Sequence, residues 1–162
     1  MDKPLVGIVM GSDSDLKTMA YAAKKLEDLG ISYEITISSA HRSLNKTLEY
    51  ARTAEERGIE VLIVAAGMAA HLAGVIAGEV TLPVIGVPMS GSELCGLDSL
   101  YSIVQMPSGV PVATVAIGKA GAVNSAILAA QILALKYSDI KEKLVNLKKD
   151  MREGVVQKDK KL

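Results

Sequence analysis

Short apolar runs alternate with helix-type segments along almost the whole chain, and this alternation restricts the fold more than any other feature. Residues 5–10 and 61–65 are apolar at nearly every position, the pattern of strands covered on both faces. Residues 31–38 are β-branched and alternate in polarity, which predicts a second strand. Fourth and fifth strands are expected within 83–88 and 111–117. Between them lie segments with helical spacing: 16–30 closed by Gly30, 44–57 closed by Gly58, 69–78, 97–105, 122–135 and 140–151. Strand and helix taking turns predict a parallel sheet with helices on both sides, a three-layer α/β/α sandwich. Five strands at this spacing fit the flavodoxin-like order 2-1-3-4-5.

The chain has 162 residues, enough for one domain with a real core. We expect a single domain over 1–162, with a core at 4–137 and a C-terminal helix and tail at 138–162. Hydrophobic residues make up 49%, yet Phe and Trp are absent, so the core must be aliphatic. Lys plus Arg and Asp plus Glu both number 18. That balance speaks against a nucleic-acid or anionic-membrane partner. The lysine-rich C-terminus is interrupted by Asp150, Glu153 and Asp159 and reads as a solvated end. Residues 61–78 have nearly the length of a membrane span, but Gly67, Gly74, Gly78 and a lone histidine argue against one. The single cysteine, Cys95, suits a reducing, cytoplasmic setting. Met1-Asp2-Lys3-Pro4 lacks the apolar length and cleavage site of a signal peptide. The segment 122–135 is apolar on most faces, so a second cover from another subunit is expected, and with it a homo-oligomer.

In such sheets ligands bind beyond the carboxyl ends of the strands, where the strand order reverses. The loops at 11–15, 38–43 and 66–72 follow the first three strands and all open on that edge. Gly11-Ser-Asp-Ser-Asp15 ends in good N-caps. Its hydroxyls and backbone N–H groups can hold a phosphate, and Asp15 can accept hydrogen bonds from ribose. Plain capping explains the same residues. The run is neither a dinucleotide fingerprint nor a P-loop. Ser39-Ala-His-Arg42 is the strongest local signal. Arg42 suits bidentate recognition of a phosphate or carboxylate, and His41 beside it can give and take a proton near neutral pH. His71, the only other histidine, lies in an apolar run. There it is either a core residue bonded to a backbone carbonyl or part of the same site. Two histidines without clustered Cys or carboxylate partners fall short of a metal ligand set.

Taken together these segments resemble the N5-carboxyaminoimidazole ribonucleotide mutases of the AIR carboxylase catalytic-subunit family. The resemblance runs from about Val6 to Leu135. It rests on Met10-Gly-Ser-Asp-Ser-Asp15, Ser39-Ala-His-Arg42, Ala69-Ala-His-Leu72 with Gly74, the stretches 82–88 and 96–107, and Ala116-Ile-Gly-Lys-Ala-Gly121. The resemblance implies a cytoplasmic isomerase of purine biosynthesis, assembled as an octamer and using neither metal nor organic cofactor. It implies transfer of a carboxylate from the exocyclic nitrogen to the ring carbon of an aminoimidazole ribonucleotide, by decarboxylation and recapture of trapped CO2. Ser12 and Arg42 would bind the phosphate, Asp15 the ribose, and His41 would be the general acid and base. Ser39, Gly67, Ala69, Ala70, His71 and Leu72 would line the pocket, His71 shaping it rather than carrying the proton.

The chain departs from the family's usual pattern at Ser43-Leu44 (commonly Thr-Pro), at Met68 (often Gly) and at Ala73 (usually Pro). Two other readings stand beside the mutase. One is a carboxylase that adds CO2 directly to the unmodified aminoimidazole ribonucleotide, which commonly has Lys in place of Arg42. The other is a non-catalytic nucleotide-binding module.

Overall fold

The computed structural model describes residues 3–161. Met1 and Asp2, on which the leader reading partly rests, lie outside the described residues, as does Leu162. Five strands, β1 (Val6–Met10), β2 (Tyr33–Ile37), β3 (Val61–Ala66), β4 (Val84–Pro88) and β5 (Ala113–Thr114), pair in parallel in the order β2-β1-β3-β4-β5. Between and after them run α1 (Leu16–Asp28), α2 (Leu44–Arg52), α3 (Ala54–Arg57), α4 (Leu72–Ala77), α5 (Leu97–Val104), α6 (Gly118–Leu133) and α7 (Ser138–Asp159).

Because side chains alternate across a strand, the apolar runs feed two cores. Val6, Ile8 and Met10 of β1, with Val61 and Ile63 of β3 and Ile85 and Val87 of β4, pack against α1 and α6. Val9, Leu62, Val64 and Val84 point the other way, toward α2 to α5. Strands β1, β3 and β4 are buried at every position, as their unbroken hydrophobicity requires. β2 alternates because it is an edge strand; Ile35 and Ile37 are 39% and 41% exposed. In the middle of β4, Gly86 leaves room for Ile103 of α5 and Ala73 of α4, since a Cβ there would collide with Ile103.

Several boundaries differ from the sequence expectation. The helix expected over 44–57 breaks at Thr53, whose hydroxyl donates back to the Glu49 carbonyl, a bond that competes with the helical ladder. The fifth strand shrinks to two residues, at an edge that begins from Pro111. α6 starts one turn earlier than expected, at Gly118. α7 extends to Asp159, so the lysine-rich end is helical and its distal residues exposed. Part of the cover of α6 is internal, while Leu135 just beyond it is 90% exposed. Ala122, Ala126, Ala129, Ala130 and Leu133 share one core with Met19, Ala22 and Leu26 of α1 and Ile140 of α7. Among the described residues no helix is long and apolar enough to cross a membrane.

Candidate active site

The carboxyl ends of β1, β2 and β3 open into a cleft of about 520 Å³. Each strand hands over to a loop of different chemistry. After β1, Ser12 caps the 3-10 turn Asp13–Asp15 that leads into α1. Its Oγ accepts from the Ser14 N–H at 3.3 Å and the Ser14 hydroxyl at 2.9 Å. The capping role and a place on the cleft wall thus coincide in one residue. Asp15 is 8% exposed. Burial pushes its carboxyl above the ordinary value, opposed by hydrogen bonding to Ser14 and the Ser12 backbone and reinforced by the neighbouring Asp13 charge. A carboxylate so poorly solvated favours an incoming hydroxyl donor.

After β2, a hydroxyl network fixes the histidine–arginine turn. Ser38 and Thr47 share a buried hydrogen bond of 2.7 Å. The Ser39 N–H donates to Ser43 Oγ at 3.0 Å, and the Arg42 N–H donates to Ser39 Oγ at 3.2 Å. Ser39 therefore braces the turn as well as lining the cleft. Ser43, where a threonine is common in the family, keeps the hydroxyl that the turn needs. Leu44 is the first residue of α2, a position where proline is favoured but not required. Arg42 lies across the mouth with Nη2 at 3.5 Å from the Gly11 carbonyl, which brings its charge beside the Ser12 loop.

After β3, residues 67–70 are small except for Met68. Met68 has a left-handed backbone, φ 56°, and is 64% exposed. His71 directly precedes α4 and is exposed. The reading of His71 as a core residue is therefore replaced by a cleft position. Its Nδ1 is 2.8 Å from Nε2 of His41, with the rings edge-on at 86°. One ring donates to the other, so the two nitrogens cannot both carry protons at this contact.

Ser12, Asp15, Ser39, His41, Arg42, Gly67, Ala69, His71 and Leu72 all line the cleft. Ala70 is the exception: it is 1% exposed and packs in the core with Leu72, Ala73 and Val64. The structure adds Ser14, Ala40, Met89 and Gly91 to the wall. Met89 and Gly91 follow β4, which neighbours β3 in the sheet, and strand order is the signal that would have placed their loop here. Among the described residues no group of three His, Cys, Asp or Glu is arranged to hold a metal.

A parallel α/β sandwich with an arginine, hydroxyls and a histidine pair in a cleft at its switch point has the chemistry to hold an anionic small molecule and to exchange protons with it. Comparison with known proteins narrows the class. The AIR carboxylase family profile matches residues 5–154, and the chain belongs to that family. It is 61% identical over 161 residues to N5-carboxyaminoimidazole ribonucleotide mutase of Pyrococcus horikoshii, covering 99% of this chain and 90% of that protein. The Bacillus subtilis protein of the same name is 54% identical, with 96% of each chain covered. The crystal structure of Treponema denticola PurE superposes with a TM-score of 0.88 at 32% identity, covering 98% of both chains.

Proposed function

We propose that the protein is an isomerase of purine biosynthesis that converts N5-carboxyaminoimidazole ribonucleotide to its 4-carboxy isomer. The observation that carries this reading is the convergence, in one cleft, of Arg42 and Ser12 with the hydrogen-bonded pair His41 and His71. Arg42, Ser12 and the positive end of the α1 dipole would take the phosphate, and Asp15 the ribose hydroxyls. His41 would give a proton to the carbamate nitrogen as the N–C bond breaks and CO2 forms. The ring carbon then attacks that CO2, and His41 takes back the proton the carbon sheds. The proton is returned in each cycle, so one imidazole serves both steps. His71 holds the His41 ring on one edge. Gly67 and Ala69 give the wall the small residues that a water-poor pocket needs.

The mutase is favoured over direct carboxylation by Arg42, by Ala69-Ala-His-Leu72, and by the names of relatives at 61% and 54% identity. Offering the purified protein each ribonucleotide separately, with and without bicarbonate, tests it. Turnover of the carbamate without added bicarbonate is expected. Turnover only of the bare amine with bicarbonate would establish the carboxylase instead, and binding without turnover of either would leave a nucleotide-binding module.

Self-association belongs to the same proposal, and exposed apolar surface outside the 122–135 segment supports it. Leu97, Tyr101 and Val104 form a stripe along α5 that is 50%, 61% and 48% exposed. On α7, Val145, Met151, Val155 and Val156 are at least half exposed. Apolar patches of this kind mark contact surfaces, and a cytoplasmic homo-octamer would cover them. Light scattering behind size exclusion should show a species far above 17.0 kDa; a monomer at micromolar concentration would refute it.

A further inference from the structure

Met68 sets a puzzle that the rest of the cleft does not. Its φ of 56° is a conformation that glycine adopts freely and a residue with a Cβ adopts at a cost. Strain of this kind persists where packing enforces it or where function uses it. Packing within the chain does not call for this side chain, since Met68 is 64% exposed. The residue therefore costs stability and fills no core, yet it lines the cleft with His41 and His71. Its neighbours Gly67 and Ala69 have no reach of their own. The nearby wall is another thioether, Met89, 6% exposed and in contact distance of the Gly67 position. An unbranched, apolar, polarizable side chain at the rim can lie over a small guest without holding water by hydrogen bonds.

We infer that Met68 is the cover that retains CO2 and excludes water between the two halves of the reaction, a role that rests on the mutase reading. The chemistry defines what a cover must do. The carbamate N–C bond breaks, the nitrogen takes a proton and CO2 is free. The ring carbon then bonds to that CO2 and releases its own proton. No other reactant enters, so any CO2 that escapes leaves the bare amine as a by-product. The ratio of bare amine to carboxylated product measures retention directly.

The test gives full-length wild type, Met68→Gly, Met68→Asn and Met68→Leu the carbamate in the presence of 13C-bicarbonate and carbonic anhydrase. Bare amine and heavy product are measured against an enzyme-free blank. Gly and Asn both accept the left-handed backbone, but neither covers. Both variants should release several-fold more bare amine and incorporate several-fold more label, while Met68→Leu stays close to wild type. Met68→Gly should also melt no lower than wild type, because glycine relieves the strain. Unchanged partition in Met68→Gly, an equal leak in Met68→Leu, or a fall in melting temperature alongside the leak would each overturn the inference. A wild-type chain that does not turn over the carbamate would overturn the mutase reading itself, and the cover with it.

Discussion

The two loops that carry histidines are built by opposite means. Residues 38–43 are latched by hydroxyls: Ser38 to Thr47 at 2.7 Å, Ser39 to Ser43 at 3.0 Å and Arg42 to Ser39 at 3.2 Å. Residues 67–71 contain no hydroxyl. A single short-range backbone bond, His71 N–H to the Ala69 carbonyl at 2.9 Å, turns the chain there, and Ala70 anchors it in the core. Under the proposed mechanism the difference follows from the work each loop would do. A charge and a proton donor must be aimed, and directional hydrogen bonds aim them. A wall that excludes water needs shape, which small residues and one apolar side chain supply.

Substituting each histidine breaks the comparison most sharply. His41→Asn should lower turnover by about 10³-fold, the range expected for a lost general acid–base group, with ligand affinity in titration calorimetry retained. His71→Asn, still able to hydrogen-bond to His41, should keep roughly a tenth or more of the activity. Equal losses would show that the loops share one role. Next in size, Arg42→Ala should weaken ribonucleotide binding roughly 10- to 100-fold, the worth of a charge-assisted contact. Unchanged affinity would take the phosphate away from this loop.

Smaller effects probe the latch and the buried carboxylate. Ser38→Ala leaves the Thr47 hydroxyl only its long 3.4 Å bond to the Ser43 carbonyl and should cost about 1 kcal/mol in urea unfolding. The double change Ser38→Ala, Thr47→Val should recover part of that loss, and strict additivity would deny the pair. Asp15→Asn is expected to stabilise the ligand-free protein slightly while weakening ribonucleotide binding. Burial raises the Asp15 carboxyl, so the folded state holds that proton more tightly than the unfolded state does. The ionised group therefore costs stability above the folded-state value. That cost fades as pH falls through this value and is gone well below the unfolded one. Melting curves should separate the two proteins at about pH 7 and merge near about pH 3; a gain in stability that persists at low pH would contradict the assignment.

The first histidine loop was readable in the sequence because its residue types are scarce and adjacent: one of two histidines, followed by an arginine, at a strand end. The second was ambiguous. A histidine among alanines looks the same whether it faces a core or a cleft, and only the turn at 68–70 decides which way it points. Ala70 was misplaced for the same reason, since in a run of small residues the sequence does not show which face each occupies. Helix α6 taught something else. Its apolar surface signalled cover on several sides, and α1 and α7 of the same chain supply part of it. An exposed apolar stripe also lies on α5, where Leu97, Tyr101 and Val104 share a face at helical spacing.

By itself the sequence determined the sheet, its order, the edge on which the cleft opens and most of the residues that line it. Hydrophobic period, glycine stops and strand-end loops are local properties, and parallel crossovers admit few topologies. Tertiary structure alone decided that His41 and His71, 30 positions apart, meet at 2.8 Å. It also decided that Met89 and Gly91 join the wall, and that Met68 stands at the rim in a strained backbone. Those outcomes depend on the pairing of β1 with both β2 and β3, and of β3 with β4, which brings loops far apart in the chain onto one edge.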